Sequence, residues 1–118
     1  ELSRIMLAIK TVLADSDDIP TLIFDEIDTG VSGDIAARMG VMMKEISRSC
    51  QAITITHLPA VAACGDSHFR VFKHDDDLST LTQIQRLDRA ARVRELAQML
   101  SGTVSEEALA AARALLNK

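Results

Sequence analysis

The chain has 118 residues, of which 47% are hydrophobic and 25% charged, and its formal net charge at pH 7 is −4. This length is sufficient for one domain with a buried core. The negative charge argues against a large basic surface for a nucleic-acid backbone, since such binding depends on clustered Lys and Arg. No apolar run approaches the roughly 20 residues that span a bilayer, so we expect no membrane contact.

The amino-terminal residues predict a helix, and an apolar strand follows it. Helical spacing of apolar residues ends at Asp15–Pro20, and the strand Thr21–Phe24 then leads directly into Asp25 and Glu26, with Asp28 close behind. Three neighbouring carboxylates repel one another when they are dry and unpaired. They therefore predict a cation, a basic neighbour or solvent at this strand end, although acidic residues also close many strands simply because the chain leaves the core.

A second β-branched strand, Ala52–Thr56, ends at His57. Between the two strands, apolar residues recur on one face of a helix: Ile35, Met39, Met42, Met43 and Ile46. Strand, helix and strand over this length predict a βαβ unit, which places the carboxyl ends of parallel strands at the same edge. We therefore expect Asp25, Glu26 and His57 to converge, the alternative being a purely structural histidine.

The last third of the chain predicts a hairpin and two helices. His68–Lys73 and Leu81–Leu87 alternate like strands, a helix then ends at Gly102, and Ser105 caps the final helix. The acidic run between the strands predicts a solvated turn, because it lacks the ligand spacing of a calcium loop. Four arginines are interpreted as a solvated helix face: Arg86, Arg89, Arg92 and Arg94.

Two cysteines, Cys50 and Cys64, are 14 positions apart, with no Cys-x-x-Cys pattern. They predict buried thiols in a reducing cytoplasm rather than a disulfide or a zinc site. The predicted fold class is α/β, with a mostly parallel sheet, flanking helices, an edge hairpin and two carboxyl-terminal helices.

This order of elements resembles the carboxyl-terminal half of an ABC-type ATPase head, which has a P-loop NTPase fold. The resemblance is to the subgroup that includes the structural-maintenance-of-chromosomes (SMC) proteins, and Phe24–Gly33 is closest to its bacterial recombination and repair branch. It covers residues 1–118 as one domain piece. Glu1–Arg4 resembles the tail of the ABC signature loop, Thr21–Glu26 a Walker B strand, and His57 a switch histidine.

The resemblance implies a role for each matched residue. Asp25 would hold Mg²⁺ through its waters, and Glu26 would position or deprotonate the attacking water. His57 would hydrogen-bond the γ-phosphate of ATP. Nucleotide contacts are also implied for Glu1 and Ser3 in the signature-loop tail, and for the loop that meets the opposite head, which comprises Asp28, Thr29, Gly30, Val31 and Ser32. The alternative role for Ser32 is that of a helix N-cap.

The resemblance also implies partners and cofactors. ATP and Mg²⁺ would join two heads into a homodimer, and the full-length protein would act on DNA in double-strand break repair and recombination, in the cytoplasm at the nucleoid. The chain contains no Walker A pattern, Gly-x-x-x-x-Gly-Lys-Ser/Thr. We therefore expect the amino-terminal half of the same head to supply it, and the 118 residues alone to be inactive. The alternatives are a non-catalytic nucleotide-gated scaffold and, less favoured, a metal-dependent phosphoesterase.

Overall fold

The computed structural model describes residues 21–26, 30–31 and 33–117. The predicted amino-terminal helix lies outside these residues. In chain order the elements are β1 (Thr21–Asp25), α1 (Gly33–Ile46), β2 (Gln51–Ile55), α2 (Pro59–Ala62), β3 (Phe69–Asp75), β4 (Thr80–Arg86), α3 (Arg89–Ser101) and α4 (Glu106–Leu116).

The described residues fall into two compact units. One holds the residues up to Gly65 together with residues 115–117, and the other spans Asp66–Ala114. That residues 1–118 form a single domain piece of an ATPase head stays a prediction. Among the helices of the described segments, none combines the length and apolar character needed to cross a bilayer.

The first unit is built on a βαβ arrangement. β1 pairs in parallel with β2, from Thr21 opposite Gln51 to Asp25 opposite Ile55, and α1 forms the crossover. The predicted βαβ unit is therefore confirmed. Parallel strands need such a long connection because the chain must return to the same end of the sheet.

The core of this unit lies between the strands and α1. Phe24 is fully buried, and it clusters with buried residues of the helices, namely Ala36, Met39, Met43, Ile46 and Val61. The buried face of α1 also includes Gly40, whereas Met42, predicted to lie on the same apolar face as Met39 and Met43, is 38% exposed. The prediction for Met42 was wrong because this face is centred on Ala36, Met39 and Met43, which leaves Met42 on its flank.

The opposite face of the strand pair is open to solvent. Ile23, Ile53 and Ile55 are 56%, 43% and 49% exposed. Side chains alternate between the two faces of a strand, so the residues adjacent to Phe24 and its paired neighbours necessarily point away from α1. Among the described residues, α1 covers only one face of the strand pair, and this leaves apolar side chains exposed on the other face.

Gly40 permits a close approach between α1 and the segment around α2. A Cβ atom at this position would lie 2.8 Å from Cys64 Sγ, 3.2 Å from the carbonyl oxygen of Ala60 and 3.3 Å from Val61 Cα. Glycine within a helix costs about 1 kcal/mol relative to alanine. Here the missing side chain allows the two elements to pack.

The second unit contains a hairpin that forms a sheet of its own within the described residues. β3 and β4 pair antiparallel, from Phe69 opposite Arg86 to Asp75 opposite Thr80. Asp76 and Ser79 close the turn through two backbone hydrogen bonds of 2.8 and 3.3 Å. The predicted hairpin is present, with strands that extend slightly further into the acidic turn.

The two carboxyl-terminal helices have the predicted end signals. The Asp88 carboxylate accepts a hydrogen bond from the Ala91 N–H at 2.8 Å at the start of α3. That helix ends at Gly102, which has a left-handed φ of 74°. Ser105 Oγ accepts from the Ala108 N–H at 3.1 Å and caps α4. Unpaired backbone N–H groups at a helix start are satisfied in this way.

We predict that Gly40→Ala lowers the free energy of unfolding, although alanine is the better helix former. The contacts to Cys64 and to two backbone atoms cost more than the helix propensity gained, for a net loss of about 1–2 kcal/mol. Urea denaturation of Gly40→Ala, Cys64→Ala and the double variant measures this. The double variant should recover part of the loss, since Cys64 Sγ is the nearest obstacle. Stabilisation by Gly40→Ala would contradict this packing account.

Candidate functional site

The acid-tipped end of β1 and the histidine-tipped end of β2 lie at the same edge of the strand pair. Asp25 is opposite Ile55, and the Glu26 N–H donates to the Ile55 carbonyl oxygen at 2.9 Å. His57 follows two positions after Ile55, and the side chains of Asp25, Glu26 and His57 are all exposed. The structure thus brings these three residues to one solvent-accessible strand edge, as expected.

Glu26 has an uncommon backbone conformation. Its φ is 53°, the only positive value for a non-glycine residue in the described segments. A side chain in this region is usually disfavoured, and such outliers concentrate at functional sites. The hydrogen bond to Ile55 holds the backbone in place, so the chain turns sharply at the first residue after β1.

The backbone around His57 is fixed by its neighbours. Thr56 Oγ1 accepts a hydrogen bond from the Leu58 N–H at 3.0 Å, and the Leu58 carbonyl accepts from Val61 and Ala62 at the start of α2. Leu58 also packs against the core of the first unit. Thr56 was not singled out from the sequence, although a hydroxyl residue before a proline-initiated turn is a recognisable signal.

The glycine-containing loop is described only in part. Gly30 has a left-handed φ of 78°, with open space around its Cβ position, so its backbone conformation alone favours glycine. Val31 is half-buried and packs against the core. The other predicted site residues lie outside the described segments: Glu1, Ser3, Asp28, Thr29 and Ser32.

The described residues contain no group of three His, Cys, Asp or Glu side chains able to hold a metal ion. An exposed carboxylate such as Asp25 nevertheless suits Mg²⁺, which uses one or two carboxylates and otherwise keeps waters and substrate phosphates as ligands. The residues at the strand edge therefore fit a magnesium ion held mainly by its nucleotide and water, and not a site built wholly from protein ligands.

Comparisons with known proteins show which proteins the chain is similar to. No protein-family model matches the chain. Three curated relatives, from Haemophilus influenzae, Vibrio cholerae and Streptomyces coelicolor, are each named DNA repair protein RecN. Their sequences are 45%, 44% and 44% identical to this chain, over 99%, 98% and 98% of its length. Along its whole length, the chain matches a segment of RecN. The resemblance predicted from Phe24–Gly33 is confirmed, and the chain spans about a fifth of the length of these RecN proteins.

A solved structure also shares the fold. It comes from work on the ATP-driven dimerization and DNA-stimulated activation of SMC ATPases. The region of similarity covers 84% of this chain and 59% of the chain in the solved structure. The TM-score is 0.65 at 20% sequence identity. This similarity confirms the predicted α/β fold of an ABC-type head.

We predict that His57→Ala leaves stability nearly unchanged and slows ATP hydrolysis by the full-length protein. His57 is exposed at the strand edge, so its removal costs little packing. The resemblance implies a hydrogen bond from His57 to the γ-phosphate, and loss of such a bond to a charged group should slow turnover by about tenfold or more. His74→Ala, at an exposed position of the hairpin, is the matched control. A large fall in melting temperature with normal turnover would identify His57 as a structural residue.

Proposed function

We propose that the chain is the carboxyl-terminal part of a RecN-like ATPase head that binds and hydrolyses ATP in DNA double-strand break repair and recombination. The observation that carries this proposal is the meeting of Asp25, Glu26 and His57 at one edge of a parallel strand pair. Ligands of open α/β sheets bind outside the carboxyl ends of the strands. The similarity to RecN along the whole chain supports the choice of reaction.

In this proposal the three strand-edge residues have different roles in hydrolysis of the γ-phosphate. Asp25 holds the magnesium ion that accompanies ATP, through the waters of the ion. Glu26 accepts a proton from the attacking water or orients it, and His57 donates a hydrogen bond to the γ-phosphate. The bound magnesium ion supplies charge neutralisation for the phosphates. The sharp turn at Glu26 supports this division, because its φ of 53° departs from the extended backbone of the strand that ends at Asp25.

A second copy of the head is the proposed partner across the nucleotide. Glu1 and Ser3, together with Asp28, Thr29, Gly30 and Ser32, would form the surfaces that contact ATP bound to the opposite head. The solved structure that shares the fold comes from work on the ATP-driven dimerization of SMC ATPases, and this supports the proposed arrangement. ATP would thus hold two heads together, and hydrolysis would release them.

The remaining partners are proposed from the RecN relatives. The amino-terminal half of the same head would supply the Walker A loop, because no such pattern occurs in the 118 residues. DNA would be contacted through the full-length protein, which would act at the nucleoid in the cytoplasm. The relatives are named DNA repair proteins, and this name supports the assignment.

We predict that Glu26→Gln in the full-length protein preserves ATP binding and abolishes most turnover. The amide keeps the shape of the side chain but cannot accept a proton, and general base catalysis typically contributes about 10²- to 10⁴-fold. Steady-state hydrolysis and equilibrium nucleotide binding are measured together. Glu45→Gln, at an exposed position of α1, serves as the matched control. Near-normal turnover by the Glu26→Gln variant would show that Glu26 is not the general base. Negligible turnover by the wild-type protein would favour the non-catalytic scaffold.

We also predict that the isolated 118 residues bind ATP weakly or not at all and show no magnesium-dependent hydrolysis. The exposed side chains of Ile23, Ile53 and Ile55 should promote self-association, since contiguous apolar surface favours contacts with other chains. Light scattering and an ATPase assay are performed with and without the amino-terminal half of the head. A monodisperse monomer that hydrolyses ATP unaided would overturn the assignment of the phosphate-binding loop to that half.

A further inference from the structure

A basic recess lies within the second unit, beside the start of α3. Its volume is about 200 Å³, and six of the residues that line it are polar or charged: Asp66, Ser67, His68, Arg86, Arg89 and Arg92. The arginines come from two different elements, since Arg86 ends β4 and the other two lie in the first turn of α3. The hairpin and the helix therefore bring together cations that the sequence alone indicates only as one solvated face.

The lining of the recess carries a surplus of positive charge. Three guanidinium groups face a single lining carboxylate, that of Asp66. The pKa of His68 is lowered, first by burial and then by the positive charge of Arg92, and Glu95 opposes this shift. His68 is therefore neutral at pH 7, and the arginines set the charge of the recess.

The recess also retains hydrogen-bonding capacity. Arg86 Nη2 donates to Ser67 Oγ at 3.4 Å, a long contact that uses one of the five N–H groups of a guanidinium. Arg89 and Arg92 have further interactions within the chain, and each again has five donors. Asp88 fixes the start of α3, because its carboxylate accepts the hydrogen bond from the Ala91 N–H.

We propose that this recess binds a phosphate group. Arginine forks match the paired oxygens of phosphate, and donors from two elements suit a tetrahedral anion better than a flat one. The recess is smaller than the roughly 300 Å³ at which sites for drug-sized ligands begin, which favours a single phosphate group over a whole nucleotide. The phosphate belongs either to a nucleic-acid backbone or to free inorganic phosphate. This inference does not rest on the proposed ATPase activity.

Phosphate binding is tested in the full-length protein by equilibrium dialysis with inorganic phosphate. A saturating non-hydrolysable ATP analogue with Mg²⁺ occupies any nucleotide site, so that the two proposals are separated. Arg86→Gln and Arg89→Gln, both at exposed positions, should each weaken binding by about tenfold or more, as expected for a lost hydrogen bond to a charged group. Arg94→Gln is the matched control, because Arg94 lies exposed on the same helix and does not line the recess.

Two further measurements complete the test. The first identifies the source of the phosphate, and the second tests phosphate binding in the wild type without any substitution. In the first measurement, a short duplex DNA is added as a competitor of phosphate. Competition, together with weaker DNA binding by the same variants, indicates that the phosphate belongs to a nucleic-acid backbone. Phosphate binding without competition indicates free phosphate. In the wild type, phosphate should slow the modification of Arg86 and Arg89 by phenylglyoxal without protecting Arg94. Absence of saturable binding, or equal effects at Arg94, overturns the proposal.

Discussion

The parallel register of β1 and β2 determines the relative positions of Asp25, Glu26 and His57 at the strand edge. It places Asp25 opposite Ile55, and the Glu26 N–H extends the pairing by one hydrogen bond beyond the strand. A slip by one residue would turn Phe24 from the core to solvent, so burial of this ring fixes the register. The same slip would move the carboxylates relative to His57. Packing of one aromatic side chain thus determines the geometry of the strand edge.

In the described part of each loop beside the site, an apolar side chain packs against the core. Val31 follows the acidic strand end, and Leu58 follows the histidine, and both pack against the buried cluster around Phe24 and Met39. The polar residues can therefore remain exposed while their backbone is held. Stability of the core and precision of the site are coupled in this way, because loosening the cluster releases both loops together.

Periodicity and end signals in the sequence were sufficient for the βαβ unit, the hairpin and the caps at Gly102 and Ser105, because these depend on local patterns. They were also sufficient to bring Asp25 and His57 to one edge. The burial of Gly40 was not predictable, since only the folded chain brings Cys64 against α1. For the same reason the arginines were interpreted as a solvated face. Their recess exists because the segment before β3 lies beside the start of α3.

The left-handed backbone at Glu26 has an evolutionary consequence. Glycine adopts this φ without the steric cost that a side chain imposes, so Glu26→Gly removes local strain and at the same time removes the carboxylate. The protein therefore retains a residue that is unfavourable for folding at this position. Selection for thermal stability alone would be expected to replace it, whereas the proposed role of Glu26 as general base requires its carboxylate. Stabilised variants obtained without an activity screen should accordingly accumulate substitutions at the end of β1.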